Sequence, residues 1–191
     1  MKNYDMLFDL DNTILKSSET IIKLYNEKYN TNYKVDINKL KWDWSNISDK
    51  DIPTKKFLEL FDDEKFYKDK YLKVFPYAIK CINKFAKEYK VGIITKHSSK
   101  HNRRELTKQW FDKTFENVDL IFTDSFSKSE YINSCKVFVD DMPEALEDMK
   151  KKCKYVIKFG NFDWNRDYNG SNYRTCNWIR LNKLIRKLLG E

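Results

Sequence analysis

Acidic residues stand directly behind short apolar runs at two places in this sequence. Tyr4–Leu10 runs into Asp9-Leu10-Asp11-Asn12-Thr13, and Lys136–Val139 (KVFV) runs into Asp140-Asp141. Thr95 closes the apolar run VGII, and Lys128 lies in the loop after Asp119–Thr123. Acidic side chains that share a small site repel one another unless a cation joins them. A set of oxygen ligands without His or Cys favours magnesium over zinc. Asp9, Asp11, Asp140 and Asp141 are the candidate metal residues. Magnesium keeps several waters, which leaves room for a phosphate oxygen. Thr95 can donate a hydrogen bond to a phosphoryl group, and Lys128 can bring positive charge to its oxygens. A carboxylate held against magnesium and lysine, such as Asp9, is a nucleophile able to form an aspartyl-phosphate. A second carboxylate two residues on, Asp11, can protonate a leaving alcohol and then activate water.

Such residues meet only if the intervening elements bring the run ends to one edge. The apolar runs Tyr4–Leu10, Val91–Thr95, Asp119–Thr123, Lys136–Val139 and Tyr155–Phe159 read as strands. Helical spacing covers Thr20–Tyr29, the stretch led by Pro76 through Ala78, Ile79, Ile82, Phe85 and Ala86, Lys100–Phe111, Pro143–Lys152 and Trp178–Leu189. Strands alternating with helices give an α/β fold with a Rossmann-like parallel sheet covered on both faces. Ligands then bind beyond the carboxyl ends of the strands. Lys136 falls inside or before a strand and faces away from that edge, so Lys128 is the better candidate.

The 191 residues fit one domain, or one domain with a small insertion. With 41% hydrophobic and 16% aromatic residues, a sizeable core can form. No apolar run approaches the roughly 20 residues that span a bilayer, and Asp5, Asp9 and Asp11 interrupt any signal-peptide pattern. The expectation is a cytoplasmic protein with no membrane partner. Cys81, Cys135, Cys153 and Cys176 form no CxxC pair, and His97 and His101 are the only histidines, so the cysteines read as reduced and structural. The net charge of +8 comes from lysines spread along the chain. A nucleic-acid patch usually clusters locally with arginine, so a general basic surface is expected, and a nucleic-acid partner is not.

The DLDNT stretch after a first strand, a threonine after the next, a lysine, and a strand ending in Asp-Asp resemble the four motifs of haloacid-dehalogenase-like phosphatases. The resemblance implies Asp9 as nucleophile and Asp11 as general acid and base. It implies magnesium on the Asp9 carboxylate, the Asp11 backbone carbonyl, and Asp140 or Asp141. Asp141 could equally be an acid at a helix start before Met142-Pro143. About 80 residues separate Thr13 from Thr95, more than a crossover helix needs. In this superfamily such an insertion is a helical cap, here expected over residues 17–75, with the core formed by 1–16 and 76–191. Within it, Asp36–Asp69 is polar and aromatic, with helical fragments at Pro53–Phe61 and Glu64–Lys70.

A second resemblance narrows the substrate. Phe159-Gly160-Asn161-Phe162-Asp163-Trp164-Asn165-Arg166, then Arg174-Thr175-Cys176-Asn177-Trp178, look like the 5′(3′)-deoxyribonucleotidase family. That family carries an aromatic-Asn-Arg segment and an Arg-x-x-Asn-Trp opening of the last helix. FPYAIKCINKF before VGIIT is similar to the family's proline-led helix. The chain departs where the family commonly has Pro-Gly-Ala, here Pro76-Tyr77-Ala78, and where it commonly has proline, here Asp163. The resemblance implies a small-molecule nucleoside monophosphate as partner, with Asn165 on the substrate beside Thr95 and Lys128; the aromatic content of the insertion adds Trp42 and Trp44, whose faces can stack on a base. Neighbours at i and i+2 cannot both face one core on a helix, so of Trp42 and Trp44 one is free for the cleft. Trp164-Asn165-Arg166 could instead be a packed loop, Arg166 and Arg174 could pair with acids, and His97 could meet the leaving group or cap a helix. A polynucleotide 3′-end phosphatase, a phosphatase of another small metabolite, and a non-catalytic nucleotide- or protein-binding domain are the competing readings. The sequence leaves the oligomeric state open between monomer and homodimer.

Overall fold

The computed structural model describes residues 1–34, 36–42, 44–45, 54–97 and 102–190, with the side chains of 54, 55 and 58 excepted. Asp43, His101 and the expected helix starts at Pro53 and Lys100 lie outside the described residues. Among the described residues six parallel strands form one sheet: β1 (Lys2–Phe8), β2 (Val91–Lys96), β3 (Val118–Thr123), β4 (Ile132–Asp140), β5 (Cys153–Phe159) and β6 (Tyr173–Thr175). Their order is β3-β2-β1-β4-β5-β6. The chain therefore moves outward from β1 through β2 to β3, then returns to place β4 on the other side of β1. Such a switch point leaves a crevice at the carboxyl ends of β1 and β4.

The helices are α1 (Ser17–Tyr29), α2 (Thr54–Glu59), α3 (Ala78–Phe85), α4 (Arg103–Thr114), α5 (Pro143–Met149) and α6 (Trp178–Leu189). Alternation along the strands feeds two cores. Met6, Phe8, Val137, Val139, Ile157 and Phe159 pack with Ile82, Phe85, Trp178, Leu181 and Ile185 of α3 and α6. Leu7, Phe138 and Val156 pack with Ala145, Leu146 and Met149 of α5. This is the doubly covered parallel sheet expected of a haloacid-dehalogenase-like α/β fold.

Two departures from the sequence reading have simple causes. Strand β4 starts at Ile132, because backbone pairing of Lys2 with Ile132 and Asn3 with Ser134 draws polar residues into the ladder. Strand β6 carries no apolar run; three residues pair with Ile157–Phe159. The expected Asn177-Trp178 opening of α6 has a clear physical basis. The Asn177 side chain accepts from the Ile179 and Arg180 amides at 2.8 and 3.2 Å. The Trp178 indole donates to the Thr13 carbonyl at 2.9 Å, tying the last helix to the loop after β1.

The chain leaves the sheet after β1 and comes back before α3 through two paired segments. Lys16 N–H bonds to the Lys73 carbonyl at 2.8 Å, and Phe75 N–H to the Ile14 carbonyl at 2.9 Å. Between them, α1, α2 and short 3-10 turns at Leu60–Asp62 and Glu64–Tyr67 close on a small aromatic core. Tyr25 stacks on Phe57 with centroids 4.2 Å apart, and Trp44 stacks on Phe57 at 5.2 Å.

Candidate active site

Asp9 continues the β1 ladder by one residue, its N–H bonding to the Val139 carbonyl at 2.8 Å. The chain then coils tightly: Ile14 and Leu15 both donate to the Leu10 carbonyl, and Asn12 takes a left-handed conformation with φ 55°. Asparagine tolerates that region better than most residues. Its side chain accepts from the Ser18 amide at 3.1 Å and so fixes the start of α1. The coil turns Asp9 and Asp11 toward a shared cleft.

Lys128 opens a 3-10 turn, Lys128–Tyr131, after β3. Its buried ammonium lies 2.5 Å from Asp9 Oδ1 and 2.7 Å from Asp140 Oδ2. Asp140 Oδ1 accepts from the Met142 amide at 2.8 Å. Asp141 Oδ2 accepts from the Trp164 indole at 2.9 Å. One carboxylate oxygen from each of Asp9, Asp140 and Asp141 lies within 4.8 Å of the others. Burial, opposed by Lys128 and reinforced by Asp140 and Asp11, pushes the Asp9 carboxyl up to about 8. Burial also raises Asp140 against the pull of Lys128, and raises Asp141 with help from Asp140 and Asp9. Three buried carboxyls share one ammonium, and their raised values show that they ionise together only with a further cation among them. The residues therefore fit a hard divalent cation: the donors are all oxygen and close together. Lys136, in contrast, points outward and pairs with Asp5 at 2.8 Å.

Asp11 faces a different set of partners. Its Oδ2 accepts from Arg103 Nη2 at 2.5 Å and lies 3.0 Å from His97 Nε2, and its Oδ1 accepts from the Ser17 hydroxyl. Burial alone would raise the Asp11 carboxyl. The Arg103 guanidinium and the His97 hydrogen bond outweigh it and hold the group well below the usual carboxylate range. Burial, with Arg103 nearby, lowers His97 to about 4 despite the Asp11 hydrogen bond, so the ring is neutral at pH 7.

The cleft above these groups encloses about 310 Å³. Asp9, Asp11, Thr95, Lys128 and Asp141 form its floor, and Trp42, Phe61, Phe126, Lys96 and Arg103 stand among its walls. Trp42 is 48% exposed and meets Phe126 and Trp164 edge-on, at 6.2 and 5.9 Å. Trp44 is 4% exposed and belongs to the core under the segment. This corrects the expectation that Trp44 meets substrate: its face is taken by Phe57. Asn165 is corrected too. It is fully buried, donating to the Asp141 and Phe159 carbonyls and accepting from the Phe162 amide. It shapes the loop that carries Trp164 and does not line the cleft. Arg166 spans to the Asn38 carbonyl at 2.7 Å, and Arg174 lies exposed in β6. Sequence reasoning passed over Arg103 and Phe126. Arg103 sits in a helix of mixed charge, where no spacing marks one arginine out.

A family described as "5′ nucleotidase, deoxy (pyrimidine), cytosolic type C" matches residues 3–189 of this chain. The chain belongs to this family. It is thus a phosphoric monoester hydrolase of the 5′-nucleotidase type, built on the haloacid-dehalogenase-like fold. No curated protein sequence matches it. Among solved structures, a haloacid-dehalogenase-like hydrolase from Streptococcus pneumoniae superposes with a TM-score of 0.61 at 11% identity, covering 96% of this chain and 98% of that one. A haloacid-dehalogenase hydrolase from Bacillus subtilis, described as bound to magnesium, gives 0.58 at 13%, covering 97% and 98%. A subfamily IA hydrolase from Geobacter sulfurreducens gives 0.57 at 10%, covering 97% and 96%. At such identities these structures bear on the fold alone. Among the described residues of this nucleotidase, no helix is long and apolar enough to cross a membrane.

Proposed function

We propose that this phosphatase hydrolyses deoxyribonucleoside monophosphates through a covalent phospho-Asp9 intermediate. The observation that carries the reading is the pairing of two differently held carboxylates on one cleft floor. Asp9 is clamped by Lys128, and Asp11 by Arg103 and His97. In the first step a bond forms between Asp9 Oδ and phosphorus, the ester P–O bond breaks, and the leaving oxygen takes a proton from Asp11. In the second, a water oxygen bonds to phosphorus, the Asp9–phosphorus bond breaks, and the water proton returns to Asp11. The negative charge of an arriving phosphate raises the carboxyl of Asp11 and favours its protonated form. Lys128 and the Thr95 hydroxyl serve the phosphoryl oxygens.

Magnesium would be held by Asp9, the Asp11 carbonyl and Asp140 or Asp141. When bound, it supplies the positive charge that the carboxylates and the phosphoryl group share. Residues 17–75 act as the cap, and Trp42 offers an aromatic face to the base. The protein works in the cytoplasm on a free nucleotide.

The test is phosphate release from 5′- and 3′-monophosphates, deoxy and ribo, with and without magnesium. Magnesium-dependent turnover of deoxyribonucleotides that falls at least about 10³-fold in Asp9→Asn supports the reading. Turnover of generic phosphoesters with nucleotides at background would discard the substrate assignment and keep the chemistry.

A further inference from the structure

A chain of hydrogen bonds runs from the inserted segment to the Asp11 carboxylate without passing through the cleft. The Tyr67 hydroxyl, on the segment, lies 2.6 Å from Thr107 Oγ1 on α4. Thr107 Oγ1 lies 3.1 Å from His97 Nδ1, and His97 Nε2 lies 3.0 Å from Asp11 Oδ2. Thr107 and His97 are both buried. The ring plane of His97 is fixed independently. It stacks on Phe122 at 5.7 Å, and its backbone N–H prolongs the sheet by bonding to the Thr123 carbonyl at 3.0 Å. With Asp11 ionised, Nε2–H donates to it, Nδ1 accepts from the Thr107 hydroxyl, and Thr107 accepts from Tyr67. A second link runs beside the first: the Phe61 ring, also on the segment, packs on the Arg103 guanidinium at 4.0 Å, and Arg103 holds the same Asp11 oxygen.

We propose that His97, Thr107 and Tyr67 are positioning residues through which the inserted segment, when seated on the core, sets the orientation of the Asp11 carboxylate. The proposal rests on the acid–base role of Asp11 given above. The Arg103 carbonyl one turn back lies 2.7 Å from the Thr107 hydroxyl and is the partner that a buried helical threonine ordinarily takes. The hydroxyl has one proton, so the relay holds when that proton turns to His97 Nδ1 and the Tyr67 hydroxyl donates to Thr107 Oγ1. A segment that lifts away takes Tyr67 from Thr107 and Phe61 from Arg103 together, loosening both holds on Asp11. The relay thus makes proton delivery depend on closure over the substrate, which limits idle attack by water on the intermediate.

The relay acts on proton transfer, so leaving groups that need no proton separate it from general damage. First-turnover rates are measured with a deoxyribonucleoside monophosphate, whose leaving alcohol must be protonated, and with p-nitrophenyl phosphate, whose leaving phenolate need not be. His97→Leu is expected to slow nucleoside release by roughly ten-fold or more, while the nitrophenolate burst stays within about two-fold. Thr107→Val and Tyr67→Phe are expected to act in the same direction by about three-fold or more. His97→Gln, which keeps a donor near the Nε2 position, is expected to recover most of the loss. Should His97→Leu fail to fold, Thr107→Val and Tyr67→Phe carry the same comparison. Equal losses on both esters, or none on either, in variants compared with an Asp11→Asn enzyme that does show the split, would overturn the relay. If Asp11→Asn shows no split, the acid–base assignment itself falls.

Discussion

Lys128 Nζ lies 2.5 Å from Asp9 Oδ1, joining residues 119 positions apart at the foot of the cleft. The same ammonium meets Asp140 at 2.7 Å, yet Asp141 completes a cluster that one positive charge cannot neutralise. The raised carboxyls ionise together only with a further cation, so a divalent ion bound there stabilises the fold. Magnesium at ten times its dissociation constant should stabilise the protein by about 1.4 kcal/mol, a rise in Tm of roughly 3–5 °C for a chain of this size. The rise should shrink in Asp141→Asn, and Lys128→Met should melt lower in EDTA and recover part of its loss with magnesium. Melting curves that overlay with and without magnesium would remove the metal from this cluster.

How far the sequence revealed this site depends on which residues carry a local signal. Asp9, Asp140 and Asp141 follow apolar runs, so their place at strand ends could be read from periodicity alone. Trp42 and Trp44 could be separated in principle, but which one faces the cleft depends on a turn in which Trp44 takes φ 61°, and no spacing predicts that. Arg103 and Phe61 meet only because two elements far apart in sequence pack together. Lys158 reads as an ordinary strand lysine, yet it is buried with its ammonium on the carbonyls of Asn165, Arg166 and Tyr168 at 2.8, 3.2 and 3.0 Å. It secures the loop that aims Trp164 at Asp141. Charges that serve as internal struts leave no pattern in the chain.

The two tryptophans should part in mutation. Trp42 is exposed against Phe126 and Trp164, so Trp42→Ala should fold normally and raise KM for nucleotides by about ten-fold, with kcat little changed. Trp44 fills the core beside Phe57, so Trp44→Ala should cost about 3–5 kcal/mol of stability. Urea unfolding and steady-state kinetics on the two proteins decide the matter. A stable Trp44→Ala with a raised KM would return that residue to the binding surface.

Tyr77 stands where the resembling family commonly has glycine, and its backbone shows why glycine suits the position. It takes φ 68° and ψ −5° immediately before α3, with the side chain 55% exposed. A left-handed conformation costs a non-glycine residue roughly 1–2 kcal/mol. Glycine gives back part of that gain through its larger freedom in the unfolded chain. Tyr77→Gly should therefore stabilise the protein by about 0.5–1 kcal/mol and leave turnover unchanged. A lower Tm would mean that the tyrosine ring contributes packing that outweighs the strain.

Asp119 ties the amino-terminal ends of the sheet together, far from the cleft. Its Oδ2 accepts from Lys90 at 2.9 Å, Lys2 at 3.1 Å and the Tyr4 hydroxyl at 2.9 Å. Partial burial raises its carboxyl, but the bonds from Lys90, Lys2 and Tyr4 outweigh this and leave it lowered. A folded-state value below the unfolded one means that the carboxylate stabilises the fold at every pH above the unfolded value, about 3.9. That contribution disappears as pH falls through the folded-state value. The partners are partly exposed, so the expected size is about 1 kcal/mol. Wild type should therefore exceed Asp119→Asn by that amount in urea unfolding at pH 7 and at pH 5. The gap should close progressively below about pH 4, because a protonated Asp119 resembles the asparagine that replaces it. A gap that stays constant down to pH 3 would assign the effect to packing at the sheet edge and remove the charge from the explanation.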